Sequence, residues 1–377
     1  MTLRAVCLPF EDRHMGGSYV ACLPLLSTKR DSFLPVSAAT HNAGPWTKRL
    51  ASAGLPAFRL APLVLPGRDG GALATFPAYA WQTLRLACFI RRHRVAVVHA
   101  NEESVAAAWL PACRLGGARL VLQQHGVPYA SKLARFVHRH CDHLIAVSEF
   151  IGERLAQEGR PADAIVVNPF RGETDNWHWD PAARATLKER LGLPMERPVI
   201  AFIGSLTEQK RARLLVTALQ RVVSQSGHRP KLLMFGDDRA GMAAELTAMS
   251  KDPAHPVDLV LMGHRSDLRD WLRASDIFAA PAIDEGFGRA LVEAMLNGTP
   301  VIAAASGGHR EIVTHEQTGL LVAPDDADAL SGALIRLMDD AALRENLARA
   351  AHDDAGRRFL KTDYVATLQA IYAALLT

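Results

Sequence analysis

The stretch Ile277-Phe-Ala-Ala-Pro-Ala-Ile-Asp-Glu-Gly-Phe-Gly-Arg-Ala-Leu-Val-Glu293 runs from an apolar segment through a glycine-rich loop into a helical pattern. We predict a short helix from Arg289 to Asn297, because Gly298 suits a helix C-terminus and Pro300 blocks continuation of the helix. The apolar run Val301–Ala305 predicts the strand that follows. A strand, a loop, a helix and another strand in this order indicate a parallel α/β sheet.

Two carboxylates flank the start of the predicted helix, with Glu285 in the loop and Glu293 on the helix. Gly286 and Gly288 allow the backbone to approach a ligand, and the first amides of a helix form an anion site. This order suits a ligand with hydroxyl groups on both sides of a diphosphate, which is the shape of a nucleotide sugar. The alternative is that both residues only stabilise the helix dipole, by roughly 0.3–1 kcal/mol each.

The composition is that of an ordinary globular protein, and 377 residues predict two domains. No run of 18 or more apolar residues occurs, so we expect no membrane-spanning helix. The N-terminus predicts a buried strand rather than a signal peptide. The five cysteines form no C-x-x-C pair, which favours reduced thiols. We therefore expect a cytoplasmic protein, placed by its charge either in solution or at the inner face of the membrane.

Strands and helical stretches alternate through the first half of the chain. The predicted strands are Leu3–Pro9, Phe33–Ala38, Val95–Ala100, Leu120–Gln124, His143–Val147 and Ile165–Asn168. Helical patterns include Ala72–His93 and Ser148–Glu158. The polar, turn-rich segment from Arg171 to Pro181 indicates a linker.

The second half repeats the same rhythm. The predicted strands are Val199–Ile203, Lys231–Phe235, Val257–Leu261, Ile277–Ala280, Val301–Ala304 and Leu320–Val322. The predicted helices are Arg211–Ser224, Arg239–Met249, Leu268–Ala274, Gly288–Asn297, Ala327–Asp339, Ala342–Arg349 and a last one from Lys361 to Leu376. We predict an α/β protein with an N-terminal domain over 1–170, a linker over 171–195, a C-terminal domain over 196–360, and a helix over 361–377 that packs back on the N-terminal domain. Both domains should be doubly wound and Rossmann-like, with their loops facing a cleft.

Loops after other strands carry further candidate residues. Gly204 and Lys210 lie between the first strand and the first helix of the second half, where a lysine can neutralise a leaving diphosphate. Gly236 and His264 follow the next two strands and can border a base or a ribose, although both loops also suit ordinary turns. Ser306-Gly-Gly-His-Arg-Glu311 permits close backbone approach after the Val301 strand.

Two loops of the first half complete the set of candidates. Met15-Gly-Gly-Ser18 follows the first strand and opens a predicted helix, so that Gly16 and Gly17 can cradle an anion. His125, between Gln124 and Gly126, ends a strand and can place an imidazole at the cleft, although a lone histidine is more often structural.

Metal chemistry has little support in the sequence. Asp326-Ala-Asp328 is better explained as the capped start of a helix than as a metal site, and no Cys/His cluster has zinc spacing. We find no P-loop, no G-x-S-x-G elbow and no G-x-G-x-x-G after a first strand.

Taken in order, these residues resemble the retaining glycosyltransferases of family 4, which have the two-domain GT-B fold. The similarity is strongest from Val199 to Pro324 and continues more weakly through the first half. Its most specific part is the series Gly204…Lys210, Phe235-Gly236-Asp237, Gly263, Glu285-Gly-Phe-Gly…Glu293-Ala, Gly298-Thr-Pro-Val-Ile, Gly307-Gly308…Glu311-Ile-Val and Thr318-Gly-Leu-Leu-Val-Ala-Pro324.

The resemblance implies a role for each matching position. Glu293 would bond the ribose hydroxyls, Glu285 the hydroxyls of the donor sugar, and Lys210 the diphosphate oxygens. Backbone amides of Phe287, Gly288, Arg289 and Ala290 would approach the sugar and diphosphate. The Gly16-Gly17 loop would close over the phosphates, and His125 would lie near the transferred sugar and the acceptor. Such enzymes need no metal or other cofactor and serve polysaccharide biosynthesis.

One position departs from the family pattern. Arginine often follows the glycine at 204, but this chain has Ser205, so leaving-group stabilisation would fall to Lys210, the helix amides and Arg211 or Arg213. The missing cation leaves open a non-catalytic nucleotide-sugar-binding protein as an alternative, and a UDP-sugar epimerase on the same fold is another.

The acceptor is left open as a saccharide, a lipid-linked saccharide or a small-molecule hydroxyl. Residues 1–170 hold 19 Lys and Arg against 11 Asp and Glu, a balance that suits an anionic partner or lipid surface. Arg85–Arg94 can form a membrane-facing helix, but its apolar residues can equally pack on the sheet while its arginines stay solvated. We therefore expect only weak, salt-sensitive peripheral membrane binding, and no nucleic-acid partner.

Overall fold

The computed structural model describes residues 5–12, 16–28, 33–65, 72–170, 177, 180–265, 267–360 and 363–377. The chain divides into two compact units. Unit 1 consists of Met1–Gly172 together with Thr362–Thr377, and unit 2 consists of Glu173–Lys361.

Unit 1 is built around a parallel sheet. Its strands are β1 (Ala5–Phe10), β2 (Val36–Thr40), β3 (Ala57–Arg59), β4 (Val95–Ala100), β5 (Arg119–Gln124), β6 (His143–Ala146) and β7 (Ala164–Ile165). Its helices are α1 (Gly17–Val20), α2 (Leu23–Ser27), α3 (Pro45–Ser52), α4 (Ala72–Arg92), α5 (Glu103–Gly116), α6 (Lys132–His140) and α7 (Glu149–Gln157), and it also contains the last helix of the chain, α16 (Tyr364–Ala374). Over the described residues the strand order is β3-β2-β1-β4-β5-β6-β7.

Unit 2 is built in the same way. Its strands are β8 (Val199–Ile203), β9 (Lys231–Phe235), β10 (Asp258–Gly263), β11 (Ile277–Ala280), β12 (Val301–Ala304) and β13 (Leu320–Val322). Its helices are α8 (Ala183–Arg190), α9 (Ala212–Ser226), α10 (Ala243–Ser250), α11 (Leu268–Ala274), α12 (Arg289–Leu296), α13 (His309–Ile312), α14 (Ala327–Asp339) and α15 (Ala341–Phe359). Its described strands are parallel, in the order β10-β9-β8-β11-β12-β13.

The predicted fold class is confirmed, since each unit is a doubly wound parallel α/β sheet. Several strands of unit 2 begin and end at the predicted residues, because buried parallel strands are continuous apolar runs. Prediction was poorer where elements are short. It missed the three-residue strand β3, and the strand predicted over Ile165–Asn168 is the two-residue strand Ala164–Ile165.

Two helices of unit 2 have other ends than predicted, one because of a capping side chain and one because of its buried face. The helix predicted over Arg239–Met249 begins at Ala243, because the carboxylate of Asp238 accepts the amides of Met242 (2.7 Å) and Ala243 (3.1 Å). The helix predicted over Ala342–Arg349 runs on to Phe359 as α15, since Ala351 and Ala355 extend its buried face.

The region predicted as a linker, 171–195, is helical in part. The helix α8 packs against α11 of unit 2, where the ammonium of Lys188 contacts the carboxylate of Asp276 at 2.6 Å. Residues 171–176 and 178–179 of this region lie outside the described residues.

The last helix belongs to the core of unit 1. Tyr364, Leu368 and Tyr372 of α16 are buried there, and the amide side chain of Gln369 bonds both backbone groups of Leu34 at 3.0 Å. Within the described parts of the chain, no helix combines the length and apolar character needed to cross a membrane.

Candidate functional site

The candidate site of unit 2 lies at the point in the sheet where the strand order changes direction. The strands β9 and β10 lie on one side of β8, and β11, β12 and β13 lie on the other. Strands β8 and β11 are neighbours, although β9 and β10 separate them in sequence. Helices leave on opposite sides of such a pair, so a crevice opens at the carboxyl ends of the two strands. The loop that starts at Gly204 follows β8, and the loop that carries Glu285 follows β11.

Lys210 and Glu285 meet at this point through an ion pair between the ammonium and the carboxylate. The aliphatic part of Lys210 lies over Gly204, where a Cβ atom would approach its Cδ to 3.1 Å. The two loops are also joined through Gln209, whose backbone oxygen accepts the amide of Ile283 at 3.0 Å. The structure therefore brings together two residues that are 75 positions apart in the sequence.

The loop after β12 supports the Glu285 loop from the other side. The amide of Gly308 donates to the carbonyl of Glu285 at 2.8 Å, and the amide of Asp284 donates to the hydroxyl of Ser306 at 3.0 Å. A Cβ atom on Gly307, whose φ is +58°, would lie 2.5 Å from the carbonyl oxygen of Glu285. Close approach of the two backbones is thus the physical reason for the glycines after β12.

Helix α12 starts directly after this loop, with Gly288 as its N-cap at φ +109°. The first amides of a helix have no intrahelical acceptor, and here they belong to Arg289 and Ala290. Glu293 lies one turn further on, with a carboxylate oxygen 3.2 Å from the guanidinium of Arg289. The Phe287 side chain is buried, so only its backbone can face a ligand.

His309 is a component of this site to which the sequence analysis assigned no role. It is buried, and its Cδ2 lies 2.8 Å from the position that a Cβ atom on Gly288 would occupy. Burial lowers its pKa, an effect that Glu285 opposes and Lys210 reinforces. The ring is therefore neutral near pH 7. The sequence feature that could have identified His309 is its place in the loop Ser306-Gly-Gly-His-Arg-Glu311, from which only the glycines were predicted to matter.

The carboxylate of Glu285 is held in its ionised form. Burial acts to raise its pKa, but the charge of Lys210 and the proximity of His309 outweigh burial, and the net effect is a lowered pKa. At neutral pH the site thus contains one cation and one anion in direct contact, with a neutral imidazole beside them.

The arginines that were expected to assist Lys210 are bonded to carboxylates. Arg211 has a backbone φ of +56°. Its guanidinium forms a bidentate ion pair with the carboxylate of Asp325, with 3.1 Å between Nη2 and Oδ2. Arg213 bonds Glu245, with 2.6 Å between Nε and Oε1. Ser205 is half-buried in the loop after β8. Lys210 is consequently the cation that the structure brings to Glu285.

Gly236 and His264 follow β9 and β10. A Cβ atom on Gly236 would lie only 2.1 Å from the carbonyl oxygen of Gly204, so glycine at this position is needed for the two loops to touch. The amide of Gly236 also donates to the carbonyl of Gly263 at 2.9 Å. His264 is exposed at the end of β10. Gly236 therefore borders the loop after β8.

The candidates of unit 1 also lie at the carboxyl ends of its strands. Gly16 is the N-cap of α1, which begins at Gly17, while Met15 lies outside the described residues. His125 follows β5, and its Nε2 lies 2.9 Å from Oδ1 of Asn101, which follows β4. The side-chain amide of Asn101 donates to Sγ of Cys22 at 3.3 Å, which leaves Oδ1 as the acceptor for Nε2–H of His125.

A buried glutamate–histidine contact lies beside the His125 loop and was not anticipated from the sequence. Glu103, at the start of α5, contacts Nε2 of His138 on α6 at 3.1 Å. The same carboxylate accepts the backbone amide of Tyr129 at 3.3 Å. Glu103 thereby connects α5, α6 and the loop between β5 and α6.

The sequence interpretation of Asp326-Ala-Asp328 as a helix start is confirmed. The carboxylate of Asp326 accepts the amides of Asp328 (2.9 Å) and Ala329 (2.8 Å) at the N-terminus of α14. Within the described ranges, no group of three or more His, Cys, Asp or Glu side chains has an arrangement that could hold a metal ion.

Two family models match the chain. One, described as Glycosyl transferases group 1, matches residues 183–354, and the other, described as Glycosyltransferase Family 4, matches residues 48–169. The first match contains the site of unit 2, and the second contains most of the sheet of unit 1.

Proteins named as glycosyltransferases are similar in sequence to this chain. The D-inositol 3-phosphate glycosyltransferase of Xylanimonas cellulosilytica is 37% identical over 202 residues, which cover 52% of this chain and 46% of that protein. The GDP-mannose-dependent alpha-(1-6)-phosphatidylinositol monomannoside mannosyltransferase of Mycobacterium tuberculosis is 29% identical over 272 residues, which cover 68% of this chain and 70% of that protein. The chain spans about half the length of several curated relatives that it matches.

Solved structures share the fold over almost the whole chain. HepE of Anabaena, in complex with UDP and glucose, has a TM-score of 0.80 at 22% identity and covers 99% of this chain and 100% of its own. The sucrose-phosphate synthase of Thermosynechococcus elongatus has a TM-score of 0.79 at 18% identity and covers 99% of both chains. At these identities the likeness shows the GT-B fold. The two family models, which match residues 48–169 and 183–354, show that the chain belongs to glycosyltransferase family 4.

Proposed function

We propose that this protein transfers a sugar from a nucleoside-diphosphate sugar to an acceptor hydroxyl, with retention of configuration at the anomeric carbon. The observation that carries the proposal is the meeting of Lys210 and Glu285 beside the N-terminus of α12, with Glu293 one turn along the helix. A cation and the first amides of a helix suit a diphosphate, and a carboxylate on either side suits a sugar and a ribose.

The proposal gives each of these groups a task. Glu293 accepts hydrogen bonds from the ribose hydroxyls, and Glu285 accepts them from the donor sugar. Lys210 and the amides of Arg289 and Ala290 neutralise the diphosphate, whose negative charge grows as it leaves. Unit 2 is thus the donor-binding unit, and unit 1, which carries His125, serves the acceptor.

The proposed reaction is a front-face displacement. The bond from the anomeric carbon to the diphosphate oxygen breaks, and the acceptor oxygen bonds to the same face of that carbon. The acceptor proton passes to the departing diphosphate, so no protein base has to remove it. Positive charge from Lys210 and α12 takes the part that a metal ion would otherwise take, and we propose that no metal is required.

The relatives support this proposal without naming the substrates. One relative is named for GDP-mannose, and HepE was solved in complex with UDP-glucose, so both uracil and guanine donors are candidates. The acceptor is a saccharide, a lipid-linked saccharide or a small-molecule hydroxyl. We place the reaction in the cytoplasm.

The test is turnover of UDP- and GDP-sugars by the wild type, Glu285→Ala and Lys210→Ala. Because Lys210 stabilises charge that develops in the transition state, Lys210→Ala should lower kcat by about 100-fold or more. Lys251→Ala, at an exposed lysine of unit 2, is the control and should keep full activity. Product configuration is read by NMR, and retention requires the donor's anomeric configuration in the product.

Equal turnover in wild type and both variants would refute the residue assignments. Donor binding, seen as a thermal shift with UDP or GDP, without turnover on any acceptor would favour a nucleotide-sugar-binding protein instead. Conversion of a UDP-sugar in the absence of acceptor would favour an epimerase.

A further inference from the structure

Large apolar side chains are exposed on two helices of unit 1. On α4 these are Phe76, Trp81 and Leu84, which are 62%, 64% and 52% exposed. On α6 and the loop before it they are Tyr129, Leu133 and Phe136, which are 74%, 45% and 51% exposed. A cluster of such residues on one face marks an interaction surface more often than single exposed residues do.

From Trp81 onward, exposed side chains of α4 form a stripe along one side of the helix. Trp81, Leu84, Cys88 and Arg92 follow one another at spacings of three or four residues, Arg85 is four residues after Trp81, and all five are exposed. The opposite side of the helix, with Leu86, Ala87 and Ile90, is buried. The apolar residues of the Arg85–Arg94 segment therefore pack inward for the most part, and the exposed aromatic residues lie upstream of that segment.

The outward side of α6 has the same character. Lys132, Leu133, Phe136, Arg139 and His140 are exposed on one side of this short helix. The rings of Phe136 and His140 are stacked with their centroids 4.1 Å apart. The exposed side of α6 thus carries both aromatic and basic side chains, as the stripe on α4 does.

The two helices flank α5 in one layer of unit 1. The hydroxyl of Tyr79 on α4 donates to the carbonyl of Ala107 on α5 at 3.0 Å. One turn earlier on α5, Glu103 contacts His138 of α6. Right-handed connections from β3 to β4, β4 to β5 and β5 to β6 put all three helices on the same side of the sheet. We call two sets of exposed residues, together with Tyr129, the basic aromatic face. The set on α4 is Trp81, Leu84, Arg85, Cys88 and Arg92, and the set on α6 is Lys132, Leu133, Phe136, Arg139 and His140.

We propose that the basic aromatic face docks unit 1 on the surface of an anionic lipid bilayer. Its charges favour that occupant, because Arg85, Arg92, Lys132 and Arg139 are exposed and neither 72–94 nor 129–140 contains Asp or Glu. Trp and Tyr rings prefer the zone between lipid headgroups and hydrocarbon, and basic side chains bind anionic headgroups. A second copy fits poorly, since two such faces would set like charges against one another.

The consequence for the acceptor rests on the proposed function. Tyr129 is four residues after His125, and its backbone amide is tied to Glu103. A bilayer on the basic aromatic face would lie beside the loop that carries His125. The acceptor favoured by this arrangement is an amphiphile whose hydroxyl head lies at the bilayer surface and whose apolar tail stays in the membrane.

The test is flotation of the full chain with vesicles of phosphatidylcholine alone and of phosphatidylcholine mixed with phosphatidylglycerol. We expect binding to the mixed vesicles that is weakened but not abolished by high salt, because salt screens the charges and leaves apolar insertion intact. The double variant Trp81→Gln/Phe136→Gln should lose about tenfold or more of this binding. Arg85→Glu/Lys132→Glu should lose the preference for anionic vesicles.

Matched controls lie in unit 2. Met195→Gln removes an apolar side chain that is 53% exposed, and Lys251→Glu reverses an exposed charge; neither should change flotation. The substituted residues are exposed, so the thermal midpoints of all variants should match the wild type. Equal flotation of wild type and the Trp81→Gln/Phe136→Gln variant overturns the proposal. So does wild-type binding to no vesicle, including the case in which the face instead binds an acidic protein or a second copy.

This outcome is independent of the donor assay. Flotation as expected together with no turnover of any nucleotide sugar would refute the proposed function and leave the docking surface in place. Turnover on a water-soluble acceptor together with no vesicle binding would refute the docking surface and leave the proposed function in place.

Discussion

The ion pair between Lys210 and Glu285 places the two main donor-binding candidates in direct contact before any ligand is present. Under the proposed function each partner exchanges the other for part of the donor, Lys210 for the diphosphate and Glu285 for the sugar. The pair therefore orders the lysine in its bonded position while it competes with the nucleotide for the ammonium group. Both side chains are partly exposed, so the strength of this competition is modest.

Replacement of Glu285 by Gln should strengthen binding of the nucleoside diphosphate alone and weaken transfer. The amide removes the competing negative charge, so UDP or GDP should bind roughly two- to fivefold more tightly. The sugar loses a charged acceptor, so kcat should fall. Isothermal titration with the nucleotide and turnover with the sugar nucleotide measure the two effects.

Glu293→Gln is the comparison for this experiment. Its carboxylate contacts Arg289 and is assigned to the ribose, so this variant should bind the nucleotide more weakly. If Glu285→Gln also binds the nucleotide more weakly than wild type, the pair does not compete with the diphosphate.

At the scale of secondary-structure elements, a helix terminus in unit 1 is capped by a residue far away in sequence. The N-cap of α3, Gly44, has no side chain to offer, and the carboxylate of Asp12 takes its place. Asp12 accepts the amides of Gly44 (2.9 Å), Trp46 (2.7 Å) and Thr47 (2.9 Å). A Cβ atom on Gly44 would lie 1.8 Å from the carbonyl oxygen of Asp12. The close contact with the loop after β1 therefore requires glycine at position 44.

Asp12→Ala should destabilise unit 1 by about 2–4 kcal/mol, because it leaves one buried and two partly buried amides without their acceptor. Urea unfolding of the full chain measures the change. Asp340→Ala is the control, since Asp340 caps α15 at the surface with a single 2.8 Å bond from Leu343 and should cost about 1 kcal/mol. Similar losses in the two variants would show that burial of the Asp12 cap adds nothing.

At the scale of the whole molecule, neutral histidines make the folded chain sensitive to acid. Of the described residues, His41, His99 and His143 in unit 1 and His309 in unit 2 have pKa values lowered chiefly by burial. For His99, next to the last residue of β4, burial lowers the pKa to about 3. Its Nδ1 bonds the hydroxyl of Tyr372 on α16, so it also ties the last helix to the sheet.

The sign of the pH effect follows from this lowered pKa. An unfolded histidine has a pKa of about 6.5, so below that pH the unfolded chain binds a proton that folded His99 does not. Stability from this group is complete above about pH 6.5 and declines as the pH falls toward about 3. Between pH 7 and pH 5, His99 alone should remove about 2 kcal/mol of unfolding free energy.

Hydrogen exchange of the β4 amides at pH 7 and pH 5, corrected for intrinsic rates, measures this loss. His99→Gln should be less stable at pH 7 because it disturbs a buried site, but its stability should depend less on pH. The surface variant His140→Gln should keep the wild-type dependence. An unchanged pH dependence in His99→Gln would show that His99 is not the group responsible.

Sequence reasoning found the elements of unit 2 better than those of unit 1. The strands β8, β9, β11 and β13 were predicted with their observed bounds, because each is an apolar run that ends at glycine, proline or another turn residue. The helices α2 and α3 and the strand β3 were missed. They are short, so their stability depends on tertiary packing rather than on a long periodic pattern.

The sequence by itself determined the α/β alternation, the two-unit architecture and the glycine-rich loops with their carboxylates, since each of these is a property of contiguous residues. Only the tertiary structure decided that Lys210 meets Glu285, that His309 packs under Gly288 and that Trp81 faces outward. The physical reason is that such contacts join residues far apart in the chain. They depend on which strands become neighbours and on which side of a helix is buried, and no local pattern contains that information.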